Sequence, residues 1–462
     1  MAGILRYGSY VPFFRLARKP LGGSGERAVA SYDEDAASVA VEAARESLRG
    51  FEGREAVEAL LFATTSAPYV EKLNAATVQA ACDLPGTMLS AELGGTSRAG
   101  LTGLLLGLDL AAAGRTVLVA AGDVVVGAPG GSRESMGGDA GAAFVVGPGD
   151  GGARLLGRAS TTEEVLDVWR SPGMPFARQW EERFGEEVFA PIVHDTLERA
   201  LASAGVGVAD LDRVVLDGTS ARALRTFAGR AKLDPTRVAD DLAAGVGRAG
   251  AAHAPLMLAA ALDRASPGDR VAVLSAADGA DAVILEVTDG IAKARPQRTV
   301  ERWIDSKRAD LAYTTYLKWR EVLPFEPPRR PEPARPAAPP MHRSERWKFG
   351  FVGSRCQACG AANLPPQRVC VACGAVDQME PEPFADASCR VATYTIDRLA
   401  YSLQPPVVGA VVDFEGGGRF TCQLTDVDPD KVEIGDELEM TFRRVYTADG
   451  VHNYFWKARP RR

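Results

Sequence analysis

Over roughly its first 290 residues the chain alternates short β-branched runs with longer Ala/Leu-rich stretches of helical period, the pattern of strands covered by helices. Ala59–Ala63, Thr116–Ala120, Arg213–Leu216 and Arg270–Leu274 read as strands; Glu34–Leu48, Ala99–Ala113, His194–Ala204 and Pro255–Ala265 read as helices. The pattern also repeats. Val117-Leu118-Val119-Ala120-Ala121-Gly122-Asp123 is echoed by Val271-Ala272-Val273-Leu274-Ser275-Ala276-Ala277-Asp278, and Gly138-Asp139-Ala140-Gly141-Ala142-Ala143-Phe144-Val145-Val146 by Gly279-Ala280-Asp281-Ala282-Val283-Ile284-Leu285. In both copies small residues precede a strand that must lie close to its neighbours. Two similar α/β halves, about 1–155 and 156–290, account for the echo. The segment from Glu163 to Phe189, rich in Trp, Arg and Glu, is expected to be helical and to cap one face or build an oligomer contact.

Beyond this region the periodicity changes. Residues 297–323 look helical, with Trp303, Tyr313, Tyr316 and Trp319 set among charges, and Pro324–Pro340 forms a proline-rich tether best treated as extended. Short alternating strands follow at Arg390–Ile396, Val407–Asp413, Arg419–Leu424, Glu437–Arg443 and Asn453–Ala458, with turns at Gly416-Gly417-Gly418 and Gly435-Asp436. About five such strands suggest a small OB-type barrel. The expected division is an α/β domain (1–290), a basic helical connector with its tether (291–345), a short module (346–382) and a barrel (383–462).

Composition adds limits. With 462 residues and 46% apolar content the chain can bury large cores and exceeds one ordinary domain. No apolar run reaches membrane-spanning length, which points to a cytoplasmic protein with no membrane role. A formal charge of −7 argues against a general nucleic-acid binder. The charge is uneven: Ile291–Lys348 holds 14 Lys/Arg against 7 Asp/Glu. That stretch is either a solvated connector beside an acidic body or an anchor for an anionic ligand such as a nucleotide phosphate.

Four of the seven cysteines fall in two knuckles, Cys356-Gln357-Ala358-Cys359 and Cys370-Val371-Ala372-Cys373. Each C-x-x-C turn lets two thiolates face one ion, and two such pairs make a tetrahedral cage for Zn²⁺, with iron as the alternative. Gly360 and Gly374, just after the knuckles, suit the left-handed turn such a site needs. Four bound sulfurs leave no position for water or substrate, so the site is structural. Disulfides fit less well, because no leader-like segment is read at the N-terminus and the other cysteines are scattered. Cys82, Cys389 and Cys422 read as core thiols. His194 reads as a helix-capping or surface residue, His342 as solvated and His452 as a hairpin-loop residue. His253 differs, because it sits in a Gly/Ala-rich turn before Pro255 where backbone can approach a ligand closely.

The duplicated region, with Gly138-Asp139-Ala140-Gly141-Ala142-Ala143 and Gly247-Arg248-Ala249-Gly250-Ala251-Ala252-His253-Ala254-Pro255-Leu256, resembles the thiolase superfamily. The branch it resembles is that of hydroxymethylglutaryl-CoA synthases and β-ketoacyl-carrier-protein synthase III. The resemblance implies a duplicated five-layer thiolase-like α/β fold and a homodimer. The knuckles and barrel resemble the zinc-ribbon/OB proteins that accompany thiolases and hydroxymethylglutaryl-CoA synthases. That implies a rubredoxin-like ribbon, acyl-CoA as ligand and a possible thiolase partner.

The same resemblance implies a cysteine nucleophile at a helix N-terminus, where the helix dipole lowers the thiol pKa. The matching stretch, Glu92-Leu93-Gly94-Gly95-Thr96-Ser97-Arg98-Ala99-Gly100, carries Ser97, or alternatively Thr96, at that position. The family's general-base glutamate falls at Ala63-Thr64-Thr65-Ser66 and its histidine at Asp217-Gly218-Thr219-Ser220, where neither residue type occurs. A serine with no base beside it stays protonated near neutrality and is a poor nucleophile. Three readings follow. The first is a cysteine-independent acyl-CoA enzyme that makes or breaks a C–C bond, as cysteine-less thiolase-like retro-aldolases do. Thr65, Ser97, Asp217, Ser220 and His253 are its candidate acid/base and oxyanion groups. The second is a non-catalytic acyl-CoA-binding scaffold for a partner thiolase. The third, a single-stranded nucleic-acid binder acting through the barrel, has only Arg443, Arg444 and Tyr446 to support it.

Overall fold

A computed structural model describes residues 2–326, 329, 331 and 333–462; tether positions 327, 328, 330 and 332 lie outside the described residues. The chain forms two compact units. The first runs to Ala30 and includes Asp35–Ala76 and Pro85–Tyr313; the second contains Ser31–Glu34, Thr77–Leu84 and Thr314–Arg462.

Nine strands organise the first unit: β1 (Ala2–Tyr10), β2 (Val57–Ala63), β3 (Leu89–Leu93), β4 (Thr116–Val124), β5 (Asp139–Pro148), β6 (Ala153–Thr162), β7 (Arg213–Gly218), β8 (Arg270–Ala276) and β9 (Gly279–Val287). Their spatial order is β7-β8-β9-β6-β1-β5-β4-β2-β3. The order is a duplication. β2 runs parallel to β4, and β4, β5 and β1 are then antiparallel in turn. β7 runs parallel to β8, and β8, β9 and β6 repeat the antiparallel series. The echoed sequences are therefore the β4–β5 and β8–β9 hairpins. The halves join where β1 and β6 pair at Gly3–Arg154 and Ile4–Ala153.

Helices complete five layers. α1 (Ala36–Leu48) covers β1, β4 and β5, and α3 (Glu182–Ala204) with α4 (Ala221–Arg230) covers β6, β7, β8 and β9. Between the halves lie α2 (Ala99–Ala112) and α5 (His253–Asp263), which touch strands of both. Both central helices are apolar on nearly every side, as a helix buried between two layers must be, and Leu101, Leu104, Leu108, Leu256, Met257 and Leu262 are buried. Their close approach depends on Gly100. A Cβ there would stand 1.9 Å from the Ala251 carbonyl oxygen and 2.8 Å from Pro255 Cγ. α1 begins at Ala36 rather than Glu34 because Asp35 caps it. Ser38 N donates to Asp35 Oδ1 at 3.0 Å, and Asp35 N donates to Ser38 Oγ at 2.8 Å.

Two stretches depart from expectation. In place of a helix over Glu163–Phe189, Val168–Trp169 and Arg178–Gln179 pair as short antiparallel strands and α3 starts only at Glu182. Pro172, Gly173 and Pro175 forbid a helix between them, and Gly173 takes φ +83°. Residues 291–313, which charge alone places in a connector, lie within the first unit. Trp303, on α6 (Val300–Asp305), is 1% exposed and meets Tyr10 edge-on at 5.1 Å. The expected helix over 297–323 is broken into α6 and a second piece, Tyr313–Trp319. The backbone at Arg308 interrupts it by hydrogen-bonding Phe13 and Arg15.

The second unit holds two sheets. β10 (Val352–Cys356), β11 (Ala362–Asn363) and β12 (Met379–Pro383) lie in the order β11-β10-β12. β13 (Cys389–Asp397), β14 (Val407–Phe414), β15 (Arg419–Gln423), β16 (Glu437–Ala448) and β17 (Val451–Pro460) form an antiparallel sheet ordered β15-β14-β13-β16-β17. A bridge from Leu424 to Ala458 links the β15 end to β17 and closes the sheet toward a barrel. Arg443, one of the three residues a nucleic acid would have needed here, is 0% exposed and bound within the unit. It meets Asp426 at 2.6 Å, Glu34 at 3.0 Å and Asp33 at 3.3 Å, while Lys457 Nζ meets Asp33 at 2.8 Å.

Burial would raise the Asp33 pKa, but Lys457 and Arg443 hold it well below the usual carboxylate range. A depressed acid contributes stability above its unfolded pKa of about 3.9, and that stability is lost as pH falls through the folded value. Asp33→Ala leaves buried cations short of an acid and is expected to cost about 3–5 kcal/mol in urea unfolding near pH 7. A loss under about 1 kcal/mol would contradict this account of the cluster.

Candidate functional site

The carboxyl ends of the parallel strands open into a cavity of about 270 Å³ within the first unit, the place where α/β sheets present ligand groups. Its wall is built from the residues just past β2 (Thr65, Ser66) and β3 (Gly95 to Ser97), the end of β4 and the two residues after it (Val124 to Val126), the end of β7 and the residue after it (Asp217 to Thr219), the residues past β8 (Ala277, Asp278), and His253. Val168, Trp169 and Gln179, from the two short strands that replaced the expected helix, line it as well. No cysteine stands among the lining residues. Cys82 is buried elsewhere, just after the helix Ala75–Ala81.

One carboxylate organises the wall. Asp123, 0% exposed near the end of β4, accepts at Oδ1 from Thr64 Oγ1 (3.0 Å), Thr65 N (3.0 Å) and Ser66 Oγ (2.5 Å). Its Oδ2 accepts from Thr65 Oγ1 (2.9 Å), Thr65 N (3.1 Å) and Ala251 N (2.7 Å). The turn leading to His253 is thereby tied to the ends of β2 and β4. Gly250 is required in that turn. It sits at φ +51°, and a Cβ there would fall 2.1 Å from Asp123 Oδ2. Burial raises the Asp123 pKa, opposed by the hydrogen bonds from Ser66, Ala251 and Thr65.

Against this anchored wall several polar atoms have no partner. Among the described residues Thr96 Oγ1, Ser97 Oγ, His253 Nδ1, Asp167 Oδ2 and Thr219 Oγ1, all on cavity-lining residues, are buried and make no hydrogen bond. Thr96 and Ser97 lie in the turn just before α2, after Gly95 at φ +83°. His253 opens α5 and is 3% exposed. Burial lowers its pKa, with Asp217 opposing the shift and Arg248 adding to it, so the imidazole is neutral near pH 7. Asp217 accepts from Ser275 Oγ at 3.2 Å. Arg248 Nη1 donates to the Gly218 carbonyl, and Arg170 Nη2 to the Thr65 carbonyl at 3.3 Å.

Four of the five residues named from sequence, Thr65, Ser97, Asp217 and His253, thus line one cavity. Ser220 does not. Its hydroxyl accepts from Ala223 N at 3.1 Å as the N-cap of α4. Thr65 lines the cavity with its hydroxyl already given to Asp123. Sequence reasoning missed Asp123, Arg133 and Arg248. Asp123 carried a signal, because it closes the repeated strand motif whose second copy ends in Asp278, a residue that lines the cavity. His194 pairs with Glu198 at 3.2 Å on the surface of α3, and His452 meets Thr447 at 2.8 Å beside the β16–β17 turn.

In the second unit the sulfurs of Cys356, Cys359, Cys370 and Cys373 all lie within 4.8 Å of one another. Cys356–Cys373 and Cys359–Cys370 are each 3.7 Å apart. A tetrahedron with metal–sulfur bonds of about 2.3 Å has edges of about 3.8 Å, whereas a disulfide needs about 2.05 Å. The knuckles share one geometry: Gly360 N donates to the Cys356 carbonyl and Gly374 N to the Cys370 carbonyl, with both glycines at φ +74°.

These features define a thiolase-type α/β domain and a four-cysteine ribbon with an OB barrel. Residues 201–287 match the family model for the 3-oxoacyl-[acyl-carrier-protein (ACP)] synthase III C terminal. Residues 350–380 match the ChsH2 rubredoxin-like zinc ribbon domain, and 387–443 the ChsH2 C-terminal OB-fold domain. The chain is 30% identical over 344 residues to a hydroxymethylglutaryl-CoA synthase of Archaeoglobus fulgidus, a match covering 70% of this chain and 99% of that protein. The chain belongs to the hydroxymethylglutaryl-CoA synthase family. Two solved structures share the fold. One is an HMG-CoA synthase complexed with CoA (TM-score 0.58, 16% identity, 69% of this chain and 89% of that one). The other is 3-oxoacyl-(acyl carrier protein) synthase III from Pseudomonas aeruginosa PAO1 (TM-score 0.56, 22% identity, 62% and 98%). Among the described residues no helix is long and apolar enough to cross a membrane.

A histidine held below its ordinary pKa makes the folded state resist protonation, so its contribution to stability declines as pH drops below about 6.5. An NMR titration of the His253 ring is expected to give a midpoint below that value, and a midpoint at or above it would contradict the lowering by burial.

Proposed function

We propose that the chain binds an acyl-CoA thioester in this cavity and makes or breaks the C–C bond beside its carbonyl without forming an acyl-enzyme. The observation that carries the reading is that Thr96 Oγ1, Ser97 Oγ and His253 Nδ1 are among the buried polar atoms of one cavity that find no partner among the described residues, with no thiol in its wall. Leaving such groups unpaired costs about 1–3 kcal/mol each, so their retention points to a ligand that satisfies them. Family membership and the CoA-complexed fold neighbour support CoA as the carrier.

The chemistry balances without a co-reactant. Neutral His253 takes the hydroxyl proton of a β-hydroxyacyl thioester, and the Cα–Cβ electron pair passes to Cα as Cβ becomes a carbonyl and departs. The resulting enolate oxygen is met by the Thr96 and Ser97 hydroxyls, an oxyanion site built for charge that appears only in reaction. Returning the proton to Cα releases the shorter thioester. Condensation is the same path reversed. Asp217 favours the imidazolium formed on His253, and Thr65 positions the wall through Asp123. Ser220 takes no part. The homodimer and cytoplasmic setting expected of the family belong to the same proposal.

Zn²⁺ fits the four sulfurs of the ribbon and holds its two knuckles together, with no open position for chemistry. Metal analysis is expected to find one zinc per chain, lost in Cys370→Ser; iron instead of zinc, or no metal, would contradict the assignment.

Turnover of a panel of acyl-CoA thioesters, scored for cleavage, condensation and hydrolysis, tests the activity. A β-hydroxyacyl-CoA is expected to react, with Ser97→Ala lowering kcat by about 10²–10³. Full activity in Ser97→Ala would remove Ser97 from the oxyanion site. The second reading, an acyl-CoA-binding scaffold for a thiolase, is favoured by the lack of any thiol in the wall. It replaces the first if no thioester turns over while a partner thiolase binds and gains activity.

A further inference from the structure

The two short strands that line the cavity also bring a carboxylate to it. Asp167, just before Val168–Trp169, lines the cavity and is 3% exposed, and its Oδ2 finds no hydrogen-bond partner among the described residues. Its backbone is the opposite case. Asp167 N donates to the Val165 carbonyl and Trp180 N to the Asp167 carbonyl, each at 2.8 Å. Three residues on, Arg170 Nη2 donates to the Thr65 carbonyl at 3.3 Å and fixes the segment against the end of β2. The main chain is thus held while the carboxylate is left open to the cavity. The other acids of the wall differ. Asp217 accepts from Ser275 and Asp278 is exposed, while Asp123 behind them is saturated by Thr64, Thr65, Ser66 and Ala251. Burial pushes the Asp167 pKa up and the like charge of Asp278 adds to this, with Thr219 and Gln179 opposing. A carboxyl in such a setting is a better base when ionised than one in water.

The reaction proposed above moves protons at two different atoms, the β-oxygen and Cα. His253 serves the first. The hydroxyls of Thr65 and Ser66 are spent on Asp123, and those of Thr96 and Ser97 are too weakly basic to take a proton from carbon. Resting on the acyl-thioester reading, we propose that Asp167 is the acid/base group for Cα of the bound thioester. In condensation Oδ2 takes a proton from Cα, and the C–H electron pair passes into the enolate whose oxygen meets Thr96 and Ser97. In cleavage the carboxylic acid returns a proton to Cα as Cβ departs, leaving a carboxylate and the imidazolium of His253, which solvent resets.

Butyryl-CoA isolates this step, because it has no β-hydroxyl and no C–C bond of it can break by this route. The full-length protein is incubated with butyryl-CoA in D₂O, and deuterium at Cα is followed by NMR. The wild type is expected to exchange that position, and Asp167→Asn to slow the exchange by about 10²–10⁴. Calorimetry should show butyryl-CoA affinity changed by less than about threefold in the variant. Asp167 gives its side chain no bond to lose, and Asp167→Ala gives the same reading should the amide not fold. Exchange at the wild-type rate in either variant overturns the inference, as does a loss of rate matched by a loss of affinity. A wild type that binds butyryl-CoA without exchanging Cα also overturns it and leaves thioester binding intact. Failure of every acyl-CoA to bind the wild type removes the acyl-thioester reading itself.

Discussion

The carboxylate of Asp123 holds the cavity wall together. Two strand ends and the turn before α5 would otherwise meet as loose loops, each with its own unsatisfied donors. Six hydrogen-bond contacts onto one buried carboxylate join them. Because each donor bonds Asp123, the hydroxyls of Thr64, Thr65 and Ser66 are consumed in structure and do not compete for a ligand. Ala251, drawn in by the carboxylate, carries His253 to the cavity wall. Gly100 and Gly250 are the two places where this arrangement leaves no room for a side chain.

What the wall then offers is a contrast between filled and unfilled polar atoms. The filled ones belong to the scaffold. Among the unfilled ones, those on Thr96 and Ser97 sit where the superfamily resemblance locates its nucleophile, and that on His253 stands at the start of α5. Donors and one neutral imidazole can polarise a thioester and move a proton. They cannot easily supply an anionic nucleophile, because a serine hydroxyl keeps its proton unless a base removes it. In the proposed reading the wall therefore serves acid/base chemistry on a bound thioester rather than acyl transfer through the protein. The ribbon's four sulfurs belong to the second unit and take no part in this wall.

Much of this was legible in the chain. The echo of residues 117–123 in 271–278 is the duplication itself, because two copies of one strand pair need the same small residues to pack on the central helices. The barrel strands were read to within a few residues, since alternation with glycine turns is a local signal. Other features were not local. A serine that caps a helix, Ser220, and one that lines a cavity, Ser97, look alike until the chain is folded. Asp123 sits amid an apolar strand, and only the arrival of Ala251 and Thr65 from distant positions makes it a hub. The Trp- and Arg-rich stretch after Glu163 has helix-compatible composition, and its prolines alone betrayed the two short strands. Arg443 looked like a surface cation because its acids, Asp33, Glu34 and Asp426, are supplied partly from the far N-terminal segment.

The central claim is that a thioester lies non-covalently in the cavity with its carbonyl against the free hydroxyls of Thr96 and Ser97. The ¹³C NMR spectrum of a carbonyl-labelled, slowly reacting acyl-CoA analogue bound to the protein tests it most directly. A bound resonance that stays in the thioester range but is shifted from that of the free ligand, with the shift reduced in Ser97→Ala, is the predicted result. A resonance in the oxygen-ester range would show an acyl-serine, and a bound carbonyl unshifted from the free ligand would show that these hydroxyls do not hold it.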